Sequence, residues 1–209
     1  PLTAVIRSGG YVVKNASVRI VPKQNGQEIR YSVSDENVRT AGGIPVFGLY
    51  PDWLNTVEVE YDRVFNGKTE HFSDRYQLYA APVFLRSNGT PGQTHTTFNV
   101  KVLKMDPAFK DRLYFINNLI PTPPDASRVV WNNPMGGALE WAFGPENAIV
   151  DSTGTVRWYL NPDVEMYDPD QPYKAGIMMG FEQTADGGLL FGYGQRYAKY
   201  DMTGREIFN

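Results

Sequence analysis

The strongest constraint on the fold is a short pattern that occurs twice, with Asp151 and Asp201 standing 50 residues apart. The stretches AIVDSTGTVRW, from Ala148, and AKYDMTGREIF, from Ala198, share the alanine and the pattern Asp-x-Thr-Gly. An aspartate early in a turn and a glycine at its end are typical of a type I turn closed by a left-handed residue. Each stretch is therefore predicted to be a β-hairpin.

The 50-residue spacing predicts a β-propeller, because periods of about 40 to 50 residues with several strands are typical of that fold. Four strand-like segments fit between the two copies: TVRWYL, GIMMGFEQ, LLFGYGQ and RYAKYD. A propeller closes with about four to eight blades, and this chain holds one period and the start of the next. We therefore expect an N-terminal fragment trimmed at both ends. The alternative is that two common hairpins match by chance.

The first hundred residues alternate between apolar and polar side chains, which predicts strands with one solvated face. The clearest stretches are ASVRIV, TVEVEY and TFNVKVL, and Asn66-Gly67 fits a type I′ hairpin turn. The apolar run IPVFGLY at 44–50 is predicted to be buried on both faces. About seven short strands in this length predict an immunoglobulin- or fibronectin-like β-sandwich, with a small barrel as the alternative.

A change of pattern after residue 104 gives the predicted domain organisation. DPAFKDR predicts a helical turn with Asp106 as the N-cap and Pro107 at the first helical position. RLYFIN predicts a strand, and PTPPDAS an extended stretch. The prediction is an all-β chain with a β-sandwich over residues 1–104, a linker and first propeller segment over 105–146, and one or more propeller blades over 147–209, truncated at Asn209.

Composition excludes several classes of function. The net charge is −3 without a basic patch, which argues against nucleic acid as a partner. The chain has no cysteine, so it can form neither disulfides nor thiolate metal sites. It lacks an apolar run of about 18 residues, so no membrane span is expected. Phosphate-loop and nucleophile-elbow motifs are also missing from the sequence, and we expect no cofactor.

Several stretches resemble the start of the bacterial aryl-sulfate sulfotransferases, the enzymes that do not use 3′-phosphoadenylyl sulfate. They are GGIPVFGLYPDWLNTVEVEY, DRLYFINN, NAIVDSTGTVRWYLNPD and GIMMGFEQTADGGLLFGYGQRYAKYDMTG. The resemblance implies a β-sandwich followed by a six-bladed propeller, in a periplasmic or secreted homodimer. It also implies transfer of a sulfuryl group from a phenolic sulfate ester to a phenol through a sulfo-histidine.

The two histidines of the chain match no catalytic position of that family. His71 and His95 both fall in the predicted sandwich, and each is interpreted as a solvated or strand-edge histidine. The resemblance therefore implies that these 209 residues are inactive alone and act as a scaffold or dimerisation part. The alternative is a non-enzymatic extracytoplasmic β-rich binding or adhesion module.

Two further groups of residues are candidate sites. Phe191, Tyr193, Gln195 and Tyr197 alternate along one predicted strand, which favours packing between blades. As a functional interpretation, Gln195, Arg196 and Tyr197 would edge an aryl-binding pocket.

An acidic group comprises Asp163, Glu165, Asp168 and Asp170. It could hold Ca²⁺, but it lacks the EF-hand order and glycine, and a solvated loop is the alternative. Finally, an open propeller edge predicts self-association through residues 145–209.

Overall fold

The computed structural model describes residues 2–83, 85–86, 94–95, 100–121, 143–160, 179–193 and 196–208. These residues form fifteen strands, one α-helix and one 3₁₀ helix. The strands are β1 (Thr3–Arg7), β2 (Val12–Ile20), β3 (Ile29–Val33), β4 (Gly43–Phe47), β5 (Trp53–Phe65), β6 (Lys68–Ala80), β7 (Leu85–Arg86), β8 (Thr94–His95), β9 (Leu113–Pro121), β10 (Phe143–Asp151), β11 (Val156–Leu160), β12 (Met179–Gln183), β13 (Leu189–Tyr193), β14 (Arg196–Tyr200) and β15 (Glu206–Phe208). The α-helix α1 spans Asp35–Ala41, and the 3₁₀ helix spans Pro107–Phe109.

The strands of the described segments form five sheets, which confirms the all-β prediction. Two sheets have four strands, in the orders β3-β2-β5-β6 and β12-β13-β14-β15. One has three strands, in the order β11-β10-β9, and the pairs β1-β4 and β7-β8 complete the set. Neither helix in the described part of the chain is long and apolar enough to cross a membrane.

The chain divides into two compact units, and each unit is made of three segments that are separate in the sequence. Unit 1 comprises Pro1–Pro82, Asn99–Tyr114 and Ile149–Trp158. Unit 2 comprises Val83–Phe98, Phe115–Ala148 and Tyr159–Asn209. The first Asp-x-Thr-Gly turn therefore belongs to the same compact unit as the N-terminal strands. The boundaries at 104 and 146 stay predictions.

The apolar residues that alternate along β2 and β5 form a buried core on one face of the four-stranded sheet of unit 1. Val18 lies opposite Val59, and Ile20 lies opposite Val57 across the β2–β5 pair. All four side chains are buried. The turn between β5 and β6 has left-handed backbone at Asn66 (φ 49°) and Gly67 (φ 73°), which confirms the hairpin prediction.

The helix α1 is a feature that the sequence reasoning missed. The Ser34 hydroxyl accepts a hydrogen bond from the Asn37 backbone N–H, and Asp35 and Glu36 occupy the first turn. Gly42 ends the helix with φ 67°. These are ordinary capping signals, but the helix is only seven residues long and only Val38 within it is buried.

The strand predicted at TFNVKVL is wrong over residues 100–103, which lie outside any strand. Leu103 is 85% exposed, and Val102 is also exposed, so no apolar face is buried there. Alternation predicts a strand only where a neighbouring strand can pair with the backbone. The Val100 carbonyl instead lies against Gly154, where an added Cβ would come within 2.6 Å of its oxygen.

The four-stranded sheet of unit 2 follows chain order and is antiparallel throughout. Its buried face carries Leu189, Phe191 and Ala198, and the rings of Phe191 and Tyr200 stack with centroids 5.6 Å apart. The pairing of β14 with β15 confirms the hairpin predicted at AKYDMTGREIF.

Candidate functional site

His71 lies on β6, the end strand of its sheet within the described residues, and its side chain is exposed. Its Nδ1 is 2.9 Å from Oδ1 of Asp62 on the neighbouring strand. Hydrogen bonds from Asn15, and then from His71, hold the pKa of the Asp62 carboxyl below its usual range. The interpretation of His71 as a strand-edge histidine is confirmed. His95 lies on β8 opposite Leu85, and its side chain is outside the described residues.

Phe191 and Tyr193 of the predicted stripe lie on β13, whereas Tyr197 lies on β14. β13 ends at Tyr193, and β14 begins at Arg196 and runs antiparallel to it, so the prediction of one alternating stripe on a single strand is wrong. Phe191 pairs with Ala198 and is buried, whereas Tyr197 pairs with Gly192 and is 72% exposed. The antiparallel register thus places Phe191 and Tyr197 on opposite faces.

Gln195 lies outside the described residues, as does the side chain of Arg196, so the pocket rim stays a prediction. The acidic group Asp163, Glu165, Asp168 and Asp170 is also outside the described part. Within that part, no three His, Asp or Glu side chains are placed to hold a metal ion.

The two Asp-x-Thr-Gly turns have nearly the same geometry. In the first, Asp151 Oδ1 accepts hydrogen bonds from Thr153 N (2.9 Å), Thr155 N (3.1 Å) and Thr153 Oγ1 (2.6 Å). The N–H of Gly154 donates to the Asp151 carbonyl at 2.9 Å, and Gly154 has φ 84°. The aspartate is needed as a triple acceptor, and the glycine for its left-handed backbone.

The second turn repeats these contacts. Asp201 Oδ1 accepts from Thr203 N (2.9 Å), Arg205 N (3.0 Å) and Thr203 Oγ1 (2.5 Å). Gly204 has φ 86°, and its N–H donates to the Asp201 carbonyl at 3.0 Å. The prediction of two equivalent turns is confirmed.

Within the described ranges, a buried polar site surrounds Arg157 in unit 1. We define the Arg157 cluster as Gln27, Gly48, Tyr50, Asp151 and Arg157. The Arg157 guanidinium donates from Nε to the Gly48 carbonyl (2.9 Å), and from Nη1 to the Gln27 carbonyl (2.9 Å) and to Asp151 Oδ2 (2.8 Å). The side chains of Arg157 and Asp151 are both fully buried.

The Tyr50 ring completes the surroundings of the guanidinium. Its centroid lies 3.7 Å from Arg157 Cζ, which is a favourable cation–π distance. The Tyr50 hydroxyl donates to the Gln27 carbonyl at 2.7 Å, and burial raises the pKa of that hydroxyl. The buried Arg157 Nη2 has no hydrogen-bond acceptor within the described segments.

This cluster is closed to substrate, because its central ion pair is fully buried. Its chemistry is structural: two charges removed from water are stabilised by each other, by two backbone carbonyls and by an aromatic face. Sequence reasoning did not single out Arg157. The sequence signal was an arginine between apolar residues in VRWYL. A charged residue within a buried strand indicates a paired side chain, since such residues are rarely fully buried without partners.

The described residues define an all-β protein with an antiparallel N-terminal unit and a hairpin-rich second unit. The model of the arylsulfotransferase Ig-like domain matches residues 1–81. The model of the arylsulfotransferase (ASST) family matches residues 99–209. The chain therefore belongs to the arylsulfotransferase family, which confirms the resemblance inferred from the sequence.

Two curated relatives agree with this membership. The chain is 32% identical to arylsulfate sulfotransferase AssT of Lelliottia amnigena, and 31% identical to arylsulfate sulfotransferase AssT of Escherichia coli. Each alignment covers 99% of this chain and 36% of the relative. The chain thus spans about a third of the length of these curated relatives.

Proposed function

We propose that the chain is the N-terminal, scaffolding part of a sulfotransferase that moves a sulfuryl group from a phenolic sulfate ester to a phenol. The observation that carries this proposal is the second hairpin, which repeats the first turn 50 residues later at the end of a four-stranded antiparallel sheet. A propeller blade is a four-stranded sheet, and a sheet in chain order is consistent with one. Membership of the arylsulfotransferase family supports the same assignment.

The proposed reaction has two steps through a histidine. A neutral imidazole nitrogen forms a bond to sulfur, the bond from sulfur to the phenolic oxygen breaks, and the phenolate leaves. An acceptor phenol then attacks the sulfo-histidine, loses its proton and regenerates the imidazole. Cationic donors would stabilise charge on the sulfuryl oxygens and the leaving phenolate.

His71 is unsuited to that role. Its ring contacts the carboxylate of Asp62, whose negative charge would repel an anionic sulfate ester. It also lies at an exposed sheet edge, where water competes for every polar contact. We infer that His71 is not the nucleophile. Since His95 matches no catalytic position of the family either, we assign this chain a scaffolding role.

The proposed partners and location follow from the same assignment. Phenolic sulfate esters and phenols are the substrates, and the protein is periplasmic or secreted. A homodimer, or self-association through residues 145–209, is favoured by β15. Among the described residues it is an end strand of its sheet, with Ile207 and Phe208 exposed. Light scattering at rising concentration tests this, and a clean monomer would contradict it.

Activity is tested with 4-nitrophenyl sulfate as the donor and a phenol as the acceptor. We expect turnover by a protein extended to the full length of the relatives, and none by the 209-residue chain. Turnover by the 209 residues would refute the proposal that this chain is a scaffold without the nucleophile.

The coding sequence after Asn209 is a second test, since it should hold more Asp-x-x-Gly hairpins at about 50-residue spacing, with histidines among them. A stop codon there would favour a binding or adhesion module.

A further inference from the structure

The Arg157 cluster joins two segments that match different family models. Gln27, Gly48 and Tyr50 lie in the Ig-like match, whereas Asp151 and Arg157 lie in the arylsulfotransferase match. We propose that the Ig-like segment carries a dedicated binding surface for the first Asp-x-Thr-Gly hairpin, and that this surface fixes the hairpin in place. The surface consists of Gln27, Gly48 and Tyr50, and its partner is Ile149–Trp158 of the same chain. This inference does not depend on the proposed reaction.

The Arg157 guanidinium binds two separate stretches of the Ig-like segment. The guanidinium has two acceptors outside the hairpin, the backbone carbonyls of Gln27 and Gly48. These carbonyls converge on one guanidinium only when both segments hold their native conformation. The planar fork of arginine suits such convergent acceptors, and lysine, as a point charge, does not reproduce it. Arg157 therefore recognises the shape of the Ig-like segment.

The Gln27 side chain contacts both the hairpin and the segment that precedes β9. Its Oε1 accepts from Ser152 N (2.8 Å) and from Ser152 Oγ (2.7 Å). Its Nε2 donates to the Arg112 carbonyl at 3.2 Å. One buried amide thus connects the turn of the hairpin to the segment that precedes β9, and both belong to the arylsulfotransferase match.

Two glycines, Gly154 and Gly26, lie so close to neighbouring atoms that there is no space for a side chain. A Cβ added at Gly154 would lie 2.6 Å from the Val100 carbonyl oxygen. One added at Gly26 would lie 2.4 Å from the Tyr50 hydroxyl oxygen. Both separations are too short for real carbon atoms, so the hairpin and the residue 23–28 loop each approach their neighbours as closely as glycine allows. The Gly154 contact restricts the hairpin against Val100, and the Gly26 contact restricts the residue 23–28 loop against Tyr50.

The second hairpin shows that the turn does not itself demand such a surface. It has the same hydrogen bonds around Asp201, but its Arg205 contacts Asp201 Oδ2 at 3.0 Å with a side chain 51% exposed. The turn therefore forms with a solvated ion pair. Burial of the first hairpin comes from Arg157 and from the Ig-like surface that accepts it.

Hydrogen exchange on the whole 209-residue chain tests the inference, with Gln27→Ala as the variant and Gln24→Ala as the control in the same loop. Gln24 is exposed, whereas Gln27 is buried. The informative amides are Asp151 and Gly154, because their hydrogen bonds are internal to the hairpin and do not involve Gln27.

We expect Gln27→Ala to lower protection of the Asp151 and Gly154 amides by about tenfold or more, since it leaves buried partners unsatisfied. The Asp201 and Gly204 amides of the second hairpin should keep their protection, and Gln24→Ala should change none of the four. Loss confined to the Ser152 amide would overturn the inference, because it would show that the hairpin holds its position without Gln27.

Ser152→Ala covers the case in which Gln27→Ala does not fold. It removes only the hydroxyl that donates to Gln27 Oε1 and keeps the backbone bond. A roughly two- to fivefold loss of protection at Asp151 and Gly154 is expected for one hydrogen bond. Wild-type protection at both amides would count against the Ig-like surface as the element that fixes the hairpin.

Discussion

The two Asp-x-Thr-Gly hairpins share one turn but differ in their surroundings. The hydrogen bonds around Asp151 and Asp201 agree to within 0.1 Å, and both closing glycines have φ near 85°. Yet Trp158 is fully buried, whereas Phe208, at the matching position, is 48% exposed. The motif thus encodes the turn, and residues outside it determine whether the hairpin is buried.

The difference is clearest in the arginines. Arg157 makes a buried ion pair with Asp151 and binds two carbonyls of distant segments. Arg205 makes a solvated pair with Asp201, four residues away. Exposed pairs contribute little to stability, and buried pairs are costly to break because the remaining charge stays out of water.

The largest expected effect comes from removing the buried cation. Arg157→Met should lower the free energy of unfolding by about 3–5 kcal/mol, because Asp151 is left buried without its partner. Arg205→Met, which removes the cation paired with Asp201 in the second hairpin, should cost less than about 1 kcal/mol. Urea unfolding followed by tryptophan fluorescence measures both, and equal costs would break the distinction between the hairpins.

A smaller effect is expected at the turn glycines. Gly154→Ala and Gly187→Ala both place a Cβ on left-handed backbone, at φ 84° and 81°, for about 1–2 kcal/mol each. Only at Gly154 would the Cβ meet another atom, the Val100 oxygen, whereas Gly187 has open space. Gly154→Ala should therefore cost an additional 1–3 kcal/mol, roughly, from overpacking. Thermal unfolding compares the two, and a larger loss for Gly187→Ala would contradict the close approach.

The smallest expected effect is a pH dependence in the hairpin between β12 and β13. Lys199 Nζ lies 2.5 Å from Asp186 Oδ2, and hydrogen bonds from Lys199, then Thr184 and the Gly188 N–H, hold the pKa of Asp186 well below its usual range. The stability from this contact is present above the unfolded pKa of about 4. It is lost as the pH falls through the lower folded pKa.

Asp186→Asn should remove that part of the acid sensitivity. Because the carboxylate is exposed, the expected difference at pH 7 is below about 1 kcal/mol. Urea midpoints at pH 7 and near pH 2 measure it, with Asp201→Asn as a comparison in the second hairpin. A variant that loses stability on acidification as steeply as the wild type would show that the Lys199 contact contributes nothing.

The sequence predicted the features that depend on neighbouring residues. The turns at Asp151, Asp201 and Asn66 follow from the local requirements of aspartate, glycine and asparagine, and each is present. Alternation predicted β2 and β5 because one face of each is buried. The family was recognised from ordered stretches of similar sequence, and both family models confirm it.

The missed features depend on partners far apart in the chain. Arg157 is buried by carbonyls 109 and 130 residues away, and no local pattern shows which of the chain's arginines has such acceptors. The strand predicted at 100–103 failed for the same reason, since pairing depends on a neighbour that alternation cannot supply. The pocket rim at Gln195 and Arg196 stays a prediction.

The Arg157 side chain also offers a spectroscopic probe of its own surroundings. Its Nε–H is buried and donates to the Gly48 carbonyl at 2.9 Å. Such a proton exchanges slowly with solvent and resonates apart from the rapidly exchanging Nε–H groups of solvated arginines. In a ¹⁵N-labelled sample, the intensity of this one side-chain peak would therefore report the fraction of molecules in which the first hairpin contacts the Ig-like segment.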